Sequence, residues 1–586
     1  MRDSSFKNDA DASKQLDEES EGVSSGRREF LKVSGAAGAT LLGRRIALAG
    51  QQDKDNDHDN GRHKGRGHDH EHEHRGLGAN APFATFDHLV VVMFENRSFD
   101  SLLGYCYESR EPPRNQSFNG LAGTEYRNPV PAYIKDGHAF VATRISPGTE
   151  PDMQNPNPDP GEEYQHVNTA LFSIVDPPVN EFRDASKMLP PYNAPPPGAQ
   201  PTMDGFVWDY CNNFVSLNNR NPTYEEYRVI MDSFSPEQLP VINTLAKSFA
   251  VYDAWFCSVP TQTLPNRSFF HASSSSGFVV NEPYPKWSLG NNALTIFDRL
   301  SAAGISWRVY YDESQIVPMT ALIHGLRLVP YFRTNFYTMT EFYQDVANGT
   351  LPAYAFVEPR SLYNNNDYHP PAPFSQDVPI GGWSDVRAGD LLAHDVYIAI
   401  KQSTSTSGSN ALNTLLLLTF DEHGNCFDHV PPPPATPPYQ PDLPGELGFL
   451  FDRFGVRVPS IVISAYTEEG TIVNGPVHHG AVVRTLCKKY SLPHLTERDH
   501  HAPDLSDSIN LSEPRSPSSW PTPSPRPVPP PPPGIEQRPL NDLEKTIVGL
   551  AIARFSPEPA ATRIPDRLGD AQTLLRSLVG DAFKHA

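Results

Sequence analysis

Three short polar clusters in this 586-residue chain carry side chains suited to cation and phosphate chemistry. The first is Phe94-Glu95-Asn96-Arg97-Ser98-Phe99-Asp100. Glu95 supplies a hard anionic oxygen, and Asn96 an amide that serves as oxygen ligand or N–H donor; both suit a divalent cation or a phosphate. The same residues also read as a helix cap, because Asn or Ser caps a first turn and Glu favours the positive helix end. The second cluster, Asp421-Glu422-His423-Gly424-Asn425-Cys426-Phe427-Asp428-His429, sets carboxylates and imidazoles beside a glycine. Adjacent buried carboxylates repel each other and lose hydration unless a cation compensates them; exposed charges on a loop are the alternative. The third runs from Cys257 to Phe269 and holds Thr263 two residues before Pro265, a proline placed for the first turn of a helix. A hydroxyl there faces the positive helix end, where free N–H groups and the dipole attract an anion, and a nearby metal readies it for attack. A plain Thr N-cap explains that residue equally well.

The first two clusters each follow an element that has to place them. The runs His88–Met93, Leu415–Thr419 and Pro459–Ser464 are short, continuous and apolar. They predict central strands of a parallel sheet buried on both faces. In such sheets ligands bind beyond the carboxyl ends of the strands, where the first two clusters lie. Polar or Gly/Pro-rich turns and helical stretches alternate with the strands, so the fold class is α/β with a central, mostly parallel sheet.

The whole chain has a net charge of −21 and 60 prolines, which belong mainly in loops and linkers. So acidic a chain is unsuited to sequence-independent nucleic-acid binding, and no nucleic-acid partner is expected. Five cysteines lie far apart with no CxxC pair, which excludes a cysteine zinc cage and a dense disulfide scaffold while leaving room for one or two bridges. Residues 1–49 contain Arg27-Arg28, a weakly apolar stretch from Val33 to Leu42, and Ala47-Leu48-Ala49. This resembles a twin-arginine export signal, which implies the twin-arginine machinery as a partner and a periplasmic or secreted protein. The stretch is too short and too rich in Gly and Ala for a stable transmembrane anchor. Residues 50–82 form a His-rich, charged linker that forms no core, with His58, His63, His68, His70, His72 and His74 able to chelate metal loosely. Residues 506–539 are a Pro-rich linker read as a stiff spacer, and 540–586 a short helical C-terminal segment with helices over Leu540–Phe555 and Arg567–Phe583.

The strings VVVMFENRSFDSLLG, DAWFCSVPTQTLPNRSFFHASSSSG and LLLLTFDEHGNCFDHVPPP resemble, in order, the signature blocks of a phosphoesterase family. It includes bacterial phospholipases C, plant non-specific phospholipases C and some acid phosphatases. DPGEEYQHVNTALF, MDGFVWDY, NNNDYHPP, FGVRVPSIVIS and VHHGAVVRTL match more weakly between and after them, so the resemblance spans most of residues 85–505, within an expected catalytic domain of residues 83–505. It implies an alkaline-phosphatase-like three-layer sandwich. It places Glu95, Asn96, Asp421 and Glu422 around a divalent metal and Thr263 at the nucleophile position. Asn266 falls where a side chain could contact the phosphate, and His369, Asp428, His429 and His479 where they could hold phosphate oxygens or protonate the leaving group. Gly424-Asn425 stands where the family commonly has Gly-Gly, and His478-His479-Gly480-Ala481 where it has Asp-His-Thr-Ser. Glu163 or His166 takes the place of a substrate-contacting histidine.

The resemblance thus implies a metal-dependent phosphoric ester hydrolase working through a phosphothreonine intermediate. Hard oxygen ligands suit Ca²⁺, Mg²⁺ or Mn²⁺ better than Zn²⁺. Thr rather than Ser in the nucleophile block points to a phospholipase C-like diesterase acting on phospholipid. Phe206, Trp208, Tyr210, Trp255, Trp287 and Trp383 could line a lipid cleft or belong to the core, and the acidic charge favours zwitterionic over anionic lipid. An acid phosphatase acting on monoesters, or a secreted metal-binding protein without catalysis, is the alternative. A sulfatase is disfavoured, because no Cys/Ser-x-Pro-x-Arg string surrounds Thr263.

Overall fold

The computed structural model describes residues 82–107, 112–371, 383–439 and 443–583. The expected export signal with Arg27 and Arg28 and the His-rich linker lie outside the described residues.

Eight strands form the central sheet: β1 (His88–Phe94), β2 (Ala250–Tyr252), β3 (Trp307–Tyr311), β4 (Phe336–Thr338), β5 (Tyr354–Glu358), β6 (Thr414–Phe420), β7 (Ser460–Ile463) and β8 (Thr471–Val473). Their spatial order is β8-β2-β7-β6-β1-β5-β3-β4. β1 sits at the centre, paired in parallel with β5 and β6, and Met93 and Phe94 lie opposite Thr419 and Phe420. That register brings the first and second polar clusters side by side. Val90, Val91, Val92, Leu415, Leu416 and Leu417 are all buried, as runs without alternation require when helices cover both faces. Burying each such side chain is worth about 1.5–3 kcal/mol.

One strand departs from expectation. β7, within the run 459–464, is antiparallel to both β6 and β2. A strand apolar on both faces carries no sign of its direction, so the pattern predicted the strand and missed its sense. The reversal sets Ser460 opposite Thr419, their hydroxyls 2.7 Å apart, and so brings the start of β7, with Arg457 before it, to the catalytic edge of the sheet.

The helices used below are α1 (Tyr164–Phe172), α2 (Phe206–Asn218), α3 (Thr263–Ala272), α4 (Gly480–Tyr490), α5 (Asp542–Phe555) and α6 (Leu568–Val579). α1 and α2 share a second apolar cluster with Leu121, Tyr227, Phe427 and Val456. α5 and α6 fall within the two helical stretches expected near the C-terminus, and Leu543, Ile547, Leu550 and Leu575 join the main core.

The Pro-rich segment is not a free spacer. Trp520 is buried with its ring 5.2 Å from that of Phe249, and Lys401 donates to the Trp520 and Pro521 carbonyls, each at 2.9 Å. Proline removes donors from that stretch, and the domain supplies donors to its carbonyls instead. All five cysteines are free and buried, so no disulfide forms. Phe206, Tyr210, Trp255 and Trp287 are core residues, while Trp208 and Trp383 are half-buried. Among the described residues no helix is long and apolar enough to cross a membrane.

Candidate active site

The end of β1 delivers Glu95 and Asn96, and the end of β6 delivers Asp421 and Glu422. The two strand ends are tied together: Asp421 N–H donates to the Phe94 carbonyl at 3.1 Å, and Asp421 Oδ1 accepts from Asn96 N–H at 3.3 Å and Glu422 N–H at 2.7 Å. Asn96 holds a left-handed conformation, φ 51°, which Asn tolerates better than most residues. Gly424, at φ 60°, follows the acidic pair, and a Cβ there would stand 2.5 Å from the Asn96 carbonyl oxygen. Asn425 is also left-handed, φ 49°, so Asn for the usual second glycine keeps the turn. Its amide also donates to Asp209 at 2.8 Å.

Thr263 opens α3, and its hydroxyl donates to Glu95 Oε2 at 3.3 Å. Thr263 and Glu95 lie 168 residues apart along the chain. The helix end offers fewer free amides than the sequence suggested. Leu264 N–H donates to Asn281 Oδ1 at 3.1 Å, and Pro265 has none to give.

The sequence reading passed over Arg267. One turn along α3 from Thr263, its guanidinium donates to Glu95 Oε1 at 2.5 Å and to Asp421 Oδ2 at 3.3 Å. The i, i+4 spacing from the nucleophile position was the available signal. Even with this arginine the site has an excess of negative charge. Burial drives the Glu95 carboxyl well above its ordinary value, with Arg267 opposing the rise and Asp421 adding to it. Glu422 is raised by burial, then by Asp421 and Glu95. Asn96 Oδ1, Glu422 Oε1 and Asp367 Oδ2 are buried oxygens without a hydrogen-bond partner. Buried orphan oxygens beside like charges are what a hard cation satisfies, so the oxygen donors of Glu95, Asn96, Asp421 and Glu422 suit the expected ion in type, although Glu95, Asp421 and Glu422 are not among the described acid and histidine groups whose ligand atoms lie within 4.8 Å of one another.

The other candidates divide. His369 is brought to the site: its Nε2 is 3.0 Å from Asn96 Nδ2, and its Nδ1 lies 2.7 Å from the Pro370 carbonyl, to which it donates. His479 has both nitrogens engaged, accepting from Trp255 Nε1 at 3.1 Å and donating to the Asp421 carbonyl at 2.6 Å. Burial lowers it to about 4, so it is a neutral prop under the acidic strand end. Asp428 and His429 bond away from Thr263, into a cluster with Asp100 and Arg457. In place of Glu163 or His166, Glu162 reaches Asn96 Nδ2. His166 pairs with Asp209 at 2.9 Å; burial opposes its charge, yet Asp209 holds it up at about 9.

Asn266 has its hydrogen-bonding capacity spent on the loop before Thr263. Its amide donates to the carbonyls of Val259, Thr261 and Gln262 at 2.7–3.1 Å and accepts from Val259 N–H at 3.0 Å. Asn266→Ala is therefore expected to lower stability by about 1–3 kcal/mol through stranded loop groups, and kcat by about 100-fold through a displaced Thr263. Urea unfolding and steady-state kinetics check this. Lost activity with an unchanged unfolding midpoint would make Asn266 a phosphate contact instead.

The sequence model of the Phosphoesterase family matches residues 86–493. The chain is 31% identical over 450 residues to Non-specific phospholipase C3 of Arabidopsis thaliana, covering 75% of this chain and 76% of that protein. To Phospholipase C B of Mycobacterium tuberculosis it is 26% identical over 470 residues, covering 74% and 79%. A solved protein of the alkaline phosphatase superfamily from Vibrio parahaemolyticus aligns at 12% identity over 46% of this chain and 65% of its own; the TM-score of 0.27 is too slight to add to the sheet topology. The family match runs from just before β1 to just past α4, and so takes in every strand end that builds the acidic site around Thr263. The chain belongs to the Phosphoesterase family and is a hydrolase of phosphoric esters, phospholipase C-like in its relatives.

Proposed function

We propose that this chain is an exported, metal-dependent phosphodiesterase that cleaves phospholipids in the manner of a phospholipase C, through a phosphothreonine on Thr263. The observation that carries the reading is the buried Thr263 hydroxyl hydrogen-bonded to Glu95 within a carboxylate cluster. A divalent cation on Glu95, Asn96, Asp421 and Glu422 would supply charge neutralisation on the phosphate oxygens and ease ionisation of the Thr263 hydroxyl.

The chain's own residues do the rest. Glu95 Oε2 accepts the hydroxyl hydrogen bond and leaves an Oγ lone pair for phosphorus. Attack forms the Oγ–P bond and breaks the P–O bond to the leaving group, and the hydroxyl proton passes to Glu95 and on to the departing oxygen, which leaves as the alcohol. Water then cleaves the phosphothreonine and restores Thr263. Arg267 holds Glu95 and Asp421 in place, at the cost of not being free to bind phosphate itself.

Two features favour a lipid diester over a monoester: Thr at the nucleophile position of the SVPTQTLPNR block, and relatives of phospholipase C name at both ends of the identity range given above. The net charge of −21 favours a zwitterionic headgroup. The expected order of kcat/KM is phosphatidylcholine, then phosphatidylglycerol, then p-nitrophenyl phosphate. A clear lead for the monoester would move the protein to the phosphatase branch.

Export rests on Arg27 and Arg28. Changing both to Lys is expected to leave the protein in the cytoplasm on fractionation, and unchanged delivery to the periplasm would remove the twin-arginine reading.

A further inference from the structure

The segment Asp159-Pro160-Gly161-Glu162 leads into α1, and His369 follows β5. One carboxylate oxygen from each acid and one ring nitrogen of His369 lie within 4.8 Å of one another. All three side chains are nine-tenths buried or more. His369 Nδ1 carries its hydrogen to Pro370, so Nε2 presents a lone pair. That lone pair sits 3.9 Å from Asp159 Oδ2, and Asp159 Oδ1 is buried with no partner. Three electron-pair donors thus face one another, with the Asn96 amide reaching only Glu162 and His369.

A second cluster of like composition shows what a satisfied version looks like. In Asp100, Asp428 and His429, Arg457 enters between the acids, its Nε 2.9 Å from Asp428 Oδ1 and its Nη2 2.9 Å from Asp100 Oδ1. No such ion pair reaches Asp159 or Glu162 from a described lysine or arginine. Arg97 is near and its charge acts on Asp159, but its Nε and Nη1 donate to the carbonyls of Tyr368 and Asn155 at 2.8 and 2.6 Å, and its Nη2 makes no hydrogen bond to either acid.

We propose that Asp159, Glu162 and His369 form a second divalent-cation site, separated by Asn96 from the Glu95–Asp421–Glu422 set. This extends the metal-dependent reading above and rests on it. Two carboxylates and an imidazole suit Mn²⁺ or Zn²⁺, whereas the first set offers oxygens alone. Metal–ligand bonds of about 2.0–2.2 Å set tetrahedral ligand atoms about 3.3–3.6 Å apart, so the three side chains would draw in by roughly 1 Å. Three protein ligands leave a coordination position open for a phosphate oxygen or water. A cation there would oppose charge on the phosphate from a second side, as in two-metal phosphoesterases.

Mn²⁺ is the probe, because the imidazole-rich stretch His58–His74 prefers Zn²⁺, Ni²⁺ or Cu²⁺. Full-length protein is stripped with chelator, equilibrated with Mn²⁺, and its bound metal counted by mass spectrometry, with near-UV circular dichroism to check folding. Glu162→Gln and Asp159→Asn are each expected to bind one Mn²⁺ fewer per chain than wild type. Asp421→Asn loses a different equivalent, so that Asp421→Asn combined with Glu162→Gln loses two. Glu163→Gln, altering a side chain that is partly exposed, leaves the count unchanged. A wild-type count in both folded Glu162→Gln and Asp159→Asn overturns the second site and leaves the first intact. A wild-type count in folded Asp421→Asn overturns the first reading instead.

Discussion

Thr263→Ala is expected to lower kcat by at least about 10⁴-fold while leaving the protein folded. Removing a nucleophile in a covalent mechanism costs about as much as losing the whole catalytic unit, leaving only binding and electrostatic terms. The side chain's one hydrogen bond is to Glu95, and Arg267 still compensates that carboxylate in the variant, so the fold has little to lose. Neighbouring hydroxyls are poor substitutes: Thr261 donates to the Val279 carbonyl at 2.8 Å, and Ser258 lies on the loop that Asn266 and Arg498 pin through its carbonyls. Thr263→Ser should retain most turnover, because it keeps the oxygen and removes only a methyl. Trapping a phosphorylated enzyme from wild type and Thr263→Ser, and none from Thr263→Ala, would give the covalent step directly. Near-normal kcat in Thr263→Ala would end the nucleophile assignment.

The second large effect is on stability. Glu95 and Glu422 are held above their ordinary values by burial and by the neighbouring Asp421. Between the unfolded glutamate value of about 4.3 and the raised native one, the folded state keeps protons that the unfolded chain has released. Stability is therefore fully present below that unfolded value and is lost as pH rises through the native one. Each such carboxyl contributes a slope of up to about 1.4 kcal/mol per pH unit in that window. Chelator-treated protein is thus expected to unfold at a markedly lower temperature at pH 8 than at pH 5.5. Saturating Mn²⁺ should remove that slope and raise the midpoint most at pH 8, because bound cation replaces the protons. Scanning calorimetry from pH 5 to 8, with and without ion, measures both. A chelated protein equally stable across the range and indifferent to added ion would count against a cation at these residues.

Much of the frame was legible in the chain. β1 and β6 stood out because residues 88–93 and 415–419 are apolar without alternation, and only a strand covered on both faces uses such a run. Glu95, Asn96, Asp421 and Glu422 stood out because acids and amides directly after such strands have no packing purpose. Other site features left a fainter trace. Asp428 and His429 follow the same acidic pair by a few residues, yet the turn through Gly424 and Asn425 carries them to Arg457. Spacing along the chain could not separate Asp421 and Glu422 from Asp428 and His429.

By itself the sequence determined the α/β class and the two central strands, since both follow from burial on two faces, and it set acids and an amide at the ends of those strands; their reading as ligands of an ion came from the family resemblance. The tertiary structure alone decided the reversal of β7, the insertion of Arg267 between Glu95 and Asp421, the commitment of Asn266 to its own loop and of His479 to a carbonyl, and the meeting of Asp159 and Glu162 with His369. Apart from the local Asn266 staple, these are contacts between segments distant along the chain. A side chain's role there is set by which partner reaches it first across the folded interior. No local periodicity records that choice, because a buried histidine or arginine looks the same in sequence whether it props a strand, pairs an acid or waits for a phosphate.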